Sequence, residues 1–153
     1  MTDILRRTTI IVRDAEQSAS FYETTFGMTR WMDTPFTLSG RQLAAGKAGD
    51  VTRLIIMKCE HDFIAMLGLL QWVEPEMPAP VDVPTRIAFG VPIFVVQALD
   101  CHATVNRARA AGARIHAEPE SWTVKGADGS PVDMIGASLF DLDGYFYEVN
   151  QRT

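Results

Sequence analysis

Two aspartates 86 residues apart, Asp14 and Asp100, each open a segment of the same kind, and this doubling restricts the fold more than any other feature of the chain. Asp14 is a good helix N-cap because its carboxylate can accept from the unpaired amides of a first turn, and Gln17 three residues on makes a variant of the capping box. Ala15, Ala19, Tyr22 and Phe26 recur at helical spacing and predict one buried stripe, which Gly27 ends as a left-handed cap. Asp100 caps a second helix with Ala103 to Ala111 as its body and Gly112 as its stop. The two segments span 13 and 12 positions, yet their residues hardly match, so the repeat is one of element order.

Strand patterns complete the doubling. Ile4 to Val12 is rich in Thr, Ile and Val and predicts a strand before the first helix. Met28 to Phe36, Thr52 to Lys58 and Phe63 to Leu70 predict three after it, with Leu38 to Asp50 as a mobile glycine-bearing loop and Glu60, His61 and Asp62 as a polar hairpin turn. Trp72 to Pro84 holds Pro75, Pro78, Pro80 and Pro84, which exclude a helix or a central strand. Arg86 to Ala98, bulged or interrupted at Pro92, opens the second half. Ala113 to Ala117, Met134 to Phe140 and Tyr145 to Gln151 close it, with Trp122 to Pro131 as a loop and Asp141 to Gly144 as a tight turn. The reading is an α+β fold of one domain, residues 1–153: a βαβββ module over 1–72, a Pro-rich linker over 73–84 and a second βαβββ module over 85–153.

Composition excludes several functions. The net charge of −5, from 14 Lys and Arg against 19 Asp and Glu, offers nucleic acid no broad basic surface. No apolar run approaches the roughly 20 residues that span a bilayer, and the opening MTDILRRTT lacks the apolar core of a signal peptide, so no membrane partner and a cytoplasmic location are expected. Cys59 and Cys101 form neither a CxxC nor a metal-finger spacing, and two buried free thiols are expected, although Cys101 falls in a first helical turn that would favour a thiolate.

Three segments carry a family resemblance. Ile10-Ile11-Val12-Arg13-Asp14, followed by Phe21-Tyr22 and Phe26-Gly27, resembles the opening of vicinal-oxygen-chelate proteins, the glyoxalase, bleomycin-resistance and extradiol dioxygenase superfamily. Phe140-Asp141-Leu142-Asp143-Gly144-Tyr145, ending at Glu148, resembles their closing segment, and Arg109-Ala110-Ala111-Gly112-Ala113 resembles the end of their second helix. The resemblance implies two βαβββ modules curled into a half-open barrel around a cleft, a small-molecule ligand and a homodimer. In metal-dependent members each module supplies one ligand from its first strand, His or Gln, and one from its last, usually Glu.

Carried over residue by residue, those metal positions are mostly lost. Seven residues before Asp14 stands Arg7, whose guanidinium has donors and no acceptor. The same count from Asp100 reaches Ile93, or Val91 or Arg86 if Pro92 marks an insertion, and none of these binds a cation. The last strand of the first module, with its register between Ala65 and Gly68, has no Asp, Glu, His or Gln from Phe63 to Leu70. Only Glu148 remains, too few donors to fix a transition metal. His61, His102 and His116 share no chelating spacing, and Asp141 and Asp143 suit a turn better than a metal. No metal and no other cofactor are expected.

The expected site therefore centres on Arg7 and Glu148. Strand alternation puts Arg7, Thr9 and Ile11 on one face, and Phe146, Glu148 and Asn150 on another. Arg7 could hold an anionic substrate oxygen and Glu148 could act as a general base, or the two could form a salt bridge that fills the former metal space. Thr9, Ile93, Gly68, Trp72, Phe146 and Asn150 are the expected substrate-binding residues; Gly68 leaves room, and Trp72, with Trp31, Trp122, Tyr145 and Tyr147, could stack on a planar ligand. These features suit a metal-independent lyase or isomerase acting on a hydrophobic or aromatic compound. A protein that sequesters a drug or metabolite is the alternative, and a metal-dependent lactoylglutathione lyase or extradiol dioxygenase fits least.

Overall fold

A computed structural model describes residues 2–153, and both helices start at their aspartates. Helix α1 (Ala15–Phe26) begins at Asp14, whose Oδ1 accepts from the amides of Glu16 at 2.9 Å and Gln17 at 3.0 Å. The Gln17 side chain donates to Asp14 Oδ2 at 3.2 Å, so the box closes side chain to side chain rather than onto the backbone. Gly27 takes the left-handed cap with φ 68°. Helix α2 (Cys101–Ala110) begins at Asp100, whose Oδ1 accepts from Ala103 N at 2.9 Å, and Gly112 follows its end with φ 97°.

The strands form two four-stranded mixed sheets, not one closed barrel. β1 (Arg7–Ile11), β2 (Thr29–Thr37), β3 (Val51–Lys58) and β4 (Met66–Glu74) make the first, in the order β1-β4-β3-β2. β5 (Ile93–Gln97), β6 (Arg114–Lys125), β7 (Pro131–Phe140) and β8 (Phe146–Arg152) make the second, in the order β5-β8-β7-β6. In both, the first strand runs parallel to the last and the other pairs are antiparallel. Among the described residues no helix is long and apolar enough to cross a membrane.

Several boundaries differ from those expected. β4 starts at Met66 rather than Phe63, because His61 Nδ1 accepts from the amides of Phe63 at 3.0 Å and Ile64 at 3.1 Å, and Ala65 turns the chain with φ 58°. It then runs on through Trp72 to Glu74, two residues into the stretch read as linker. β1 and β5 are shorter than read, since Ile4 to Arg6 and Arg86 to Pro92 lie outside the ladders. The largest change is the segment read as a loop over Trp122 to Pro131. Ser121 to Lys125 pair with Pro131 to Ile135, leaving only the Gly126–Ser130 turn unpaired. Pro119 falls where the register shifts between Ala117 and Glu120, on an edge strand that tolerates a missing donor.

The chain divides into two units, Met1–Glu23 with Gly27–Val81, and Thr24–Phe26 with Asp82–Thr153. In the first, Arg53 on β3 binds Glu16 of α1, so the face shared by Arg53, Ile55 and Met57 is the helix side. The opposite face holds a cluster of Leu54, Ile56, Met66, Leu70 and Trp72, joined by Leu38 and Ala45 from the loop before β3. That loop is closed rather than open: Leu38 N donates to Asp50 O at 2.8 Å, Gly49 N to Leu38 O at 3.0 Å, and Trp72 Nε1 to Asp50 Oδ2 at 3.1 Å. In the second unit α2 buries Cys101, Thr104, Val105 and Ala108. Cys101 Sγ meets Val149 O at 3.4 Å, which makes the face of Tyr147 and Val149 the helix side and leaves Phe146, Glu148 and Asn150 on the other.

Candidate functional site

The second sheet presents its polar groups on that non-helix face, in rows set by register. Ile93, Phe146 and Phe140 form one row, Val95, Glu148 and Ser138 the next, and Gln97, Asn150 and Gly136 the third. Phe140 and Phe146 meet edge to face at 5.1 Å, and the His116 ring stands 6.0 Å from each. At the other end Trp122 lies against Gly136, where an added Cβ would come within 3.1 Å of Trp122 Cζ2 and 3.1 Å of Asn150 Oδ1. Glu148 is therefore half-buried between an aromatic wall and a tryptophan, with only the small side chain of Ser138 beside it on β7. Ile93 is 48% exposed and Val95 65%, so the β5 side of this face is open.

The first sheet offers a different surface. Arg7 and Thr9 lie on β1, and Arg7 Nε donates to Thr9 Oγ1 at 3.0 Å. Thr9 pairs with Gly68 of β4, where an added Cβ would sit 2.6 Å from Thr9 Oγ1 and 3.3 Å from Arg7 Cδ. Trp72, at 4% exposure, belongs to the packed cluster, and its indole N–H is committed to Asp50. Tyr147 is buried and stacked on Phe94 at 4.9 Å, while Trp31 and Trp122 are about half exposed.

The register that the sequence left open between Ala65 and Gly68 is settled by two glutamines. Gln71 Oε1 accepts from Ala15 N at 2.9 Å, and Gln151 Oε1 accepts from Cys101 N at 2.8 Å. Each ties the last strand of its sheet to the first residue of its helix, so Gln71 and Gln151 are equivalent. Three residues back along each strand stand Gly68 and Glu148, paired with the equivalent residues Thr9 and Val95. Gly68 in the first unit thus corresponds to Glu148 in the second, and Arg7 to Ile93, the positions at which the resemblance places metal ligands.

Both cysteines are free, but they are not alike. Cys101 is buried, and burial first, then the Asp100 charge, pushes its thiol up, away from the reactive thiolate its helical position would favour. Cys59 is exposed, contrary to the expectation of two buried thiols, because it follows the end of β3. Its thiol is also pushed up, by partial desolvation and by Glu60. Asp141 behaves as a turn-former: its Oδ1 accepts from the amides of Asp143 at 3.0 Å and Tyr145 at 2.8 Å.

Sequence reasoning did not place Ser138, Gly136 and His116 at the site. The run of small residues Gly136-Ala137-Ser138 was the available signal for the first two. His116 owes its position to a bulge between Ile115 and Ala117, which no periodicity announces.

With this geometry in hand, comparison with known proteins gives a family. The profile of the Glyoxalase/Bleomycin resistance protein/Dioxygenase superfamily matches residues 4–149, and the chain belongs to that superfamily. A glyoxalase family protein from Bacillus cereus is 15% identical and superposes with a TM-score of 0.78 over 99% of this chain and 96% of its own. Glyoxalase I from Leishmania major is 16% identical with a TM-score of 0.60, over 98% of this chain and 87% of its own. A glyoxalase I variant from Zea mays is 15% identical with a TM-score of 0.60; this chain spans 46% of its length, and 95% of this chain is matched. No curated protein sequence matches. At these identities the likeness is one of fold.

The residues present do not fit the metal that many such folds carry. Arg7 has no acceptor, Gly68 no side chain and Ile93 only carbon, which leaves Glu148 as the sole donor of the four. Among the described residues no three His, Cys, Asp or Glu side chains group closely enough to hold a metal ion.

Proposed function

We propose that the protein binds a small, planar, hydrophobic or aromatic molecule on the open face of its second sheet, and that Glu148 acts there as a general base in metal-independent lyase or isomerase chemistry. One observation carries this reading: Glu148 is half-buried on a face that has His116, Phe140 and Phe146 at one end and Trp122 with Asn150 at the other. Rings on both sides favour a flat apolar ligand, and offset or edge-on contacts with them contribute about 0.5–1.5 kcal/mol each beyond burial. A carboxylate in such a slot can take a proton from a carbon or heteroatom within about 3 Å of it. Phe146, Asn150 and Ile93 contribute the walls around it.

A thermal-shift screen of aromatic carbonyl compounds would find the ligand, because a compound that binds only the folded chain raises its melting temperature. Glu148→Gln should then keep binding within a few-fold and lower turnover by about 10²–10⁴-fold, the usual contribution of a general base. Full turnover in that variant would remove Glu148 from the chemistry. Sequestration without reaction is the second reading, supported by the exposed Trp122 ring; it requires that wild type and Glu148→Gln bind alike and that neither transforms the ligand.

A further inference from the structure

The first unit carries a device that the second-sheet reading does not use. We propose that Arg7, anchored by Thr9 and given room by Gly68, is a binding site for the carboxylate of a small organic molecule. Arg7 Nε is spent on Thr9 Oγ1 at 3.0 Å, so the guanidinium is held at its root and its two Nη groups are left as an end-on fork. That fork matches a planar carboxylate with two parallel hydrogen bonds, the strongest arrangement such a pair adopts. A side chain already held loses less freedom when a ligand arrives.

The neighbourhood supplies the driving force. The rows that run across the sheet from Arg7, Thr9 and Ile11 hold Met66, Gly68 and Leu70 on β4, with Leu54 and Ile56 on β3. None is acidic. Lys58, at the β3 end of the Arg7 row, is already paired with Asp62. Among the described residues these rows of the first sheet bring the guanidinium no acidic side chain, and an anionic ligand with an apolar body would complement both the fork and the apolar face.

Gly68 is the feature that separates this site from any exposed arginine. Its φ is not positive, so no backbone demand calls for glycine. A Cβ there would come within 2.6 Å of Thr9 Oγ1, 3.2 Å of Thr9 Cγ2 and 3.3 Å of Arg7 Cδ. The missing side chain is what permits the Arg7–Thr9 bond in its present place. Gly68 also occupies the position equivalent to Glu148, so where the second unit keeps a carboxylate the first has cleared space for a cation's support. Thr9 and Gly68 are positioning residues, and Arg7 is the group that touches the ligand.

Benzoate is the probe, with benzyl alcohol as its neutral counterpart, and NMR titration of the ¹⁵N-labelled chain is the readout. Benzoate should move the Arg7 Nε–H resonance and the Thr9 and Gly68 amides, while benzyl alcohol leaves Arg7 Nε–H in place. Arg7→Ala should weaken benzoate about tenfold or more, as expected for loss of a charge-assisted hydrogen bond. Arg41→Ala, which removes the same charge elsewhere, should not. Gly68→Ala should shift the Arg7 Nε–H resonance before any ligand is added and weaken benzoate. If that variant fails to fold, Thr9→Val, which removes the acceptor at constant shape, should do the same and Thr9→Ser should restore it. Equal affinity in wild type and Arg7→Ala, an unmoved Arg7 Nε–H resonance, a Thr9→Val variant that behaves as wild type, or an equal loss in Arg41→Ala would each overturn the proposal. Shifts confined to Phe146, Glu148 and Asn150 would do so too, while leaving the second-sheet reading standing.

Discussion

Trp72 shows how much a single side chain can be misjudged from its type. An indole near a binding face invites a stacking role, but here the ring is 4% exposed and its N–H donates to Asp50, itself 5% exposed. Asp50 also accepts from Lys47 N at 3.0 Å, and its own backbone closes the loop onto Leu38. One buried residue thus fastens the Leu38–Asp50 loop, its carboxylate holding Lys47 and the Trp72 side chain of β4 and its backbone carbonyl holding Leu38. Trp72→Phe keeps most of the apolar contact and deletes one donor. It should cost about 1–3 kcal/mol, the penalty for leaving a buried acceptor short of a partner. Urea denaturation measures this, and a loss under about 0.5 kcal/mol would mean that the bond is dispensable. Cys59 and Cys101 teach the same lesson: residue type predicts burial on average, and position at a strand end or in a packed helix face decides the case.

At the scale of elements, α1 is tied to its sheet by charge. Glu16 accepts from Arg30 at 2.6 Å and Arg53 at 2.8 Å, while Arg30 also reaches Glu23 and Arg53 reaches Asp33. The Arg30 and Arg53 guanidinium groups hold the Glu16 carboxyl below its ordinary value, and Arg53 does the same for Asp33. A carboxyl whose affinity for protons is lower in the folded than in the unfolded chain stabilises fully above the unfolded value, and loses that contribution as pH falls through the folded one. The wild type should therefore lose stability below about pH 4, the ordinary carboxylate range. Glu16→Gln should be less stable than wild type at pH 7, with the gap closing as pH falls. Since these groups are part-exposed, 1 M salt should narrow the gap as well. Chemical denaturation at stepped pH tests this, and a gap that stays constant from pH 7 to pH 3 would rule out the network as its source. The elements themselves were largely legible: both helices carry their caps in sequence, and β2 and β3 fall within a residue of expectation. β4 and β6 were misplaced because features that strand alternation does not announce decide them. His61 takes the amides that would have begun β4, and a bulge absorbs Pro119 within β6.

Across the whole molecule, duplication made the fold readable and left the chemistry half-read. Asp14 and Asp100 announce the repeat, but only the bonds from Ala15 to Gln71 and from Cys101 to Gln151 fix how the two units correspond. No alignment of two nearly unrelated halves would have matched Gly68 to Glu148, since one is a residue without a side chain and the other a carboxylate. Once matched, they show that the two sheets have diverged in opposite directions, one toward a supported guanidinium and the other toward an acid among aromatic rings. That divergence makes a definite statement about metals. Of these four positions only Glu148 offers a donor, and a single carboxylate does not hold zinc or nickel against water. Adding either ion in modest excess should leave the melting temperature of the chain unchanged, whereas a ligand present at 100 times its dissociation constant would raise stability by about 2.7 kcal/mol. The comparison with Glu148→Gln makes the test specific. A metal-dependent rise in melting temperature in wild type that vanishes in Glu148→Gln would place a metal at Glu148, and would return the proton-transfer reading of that residue to the metal-dependent chemistry of its superfamily.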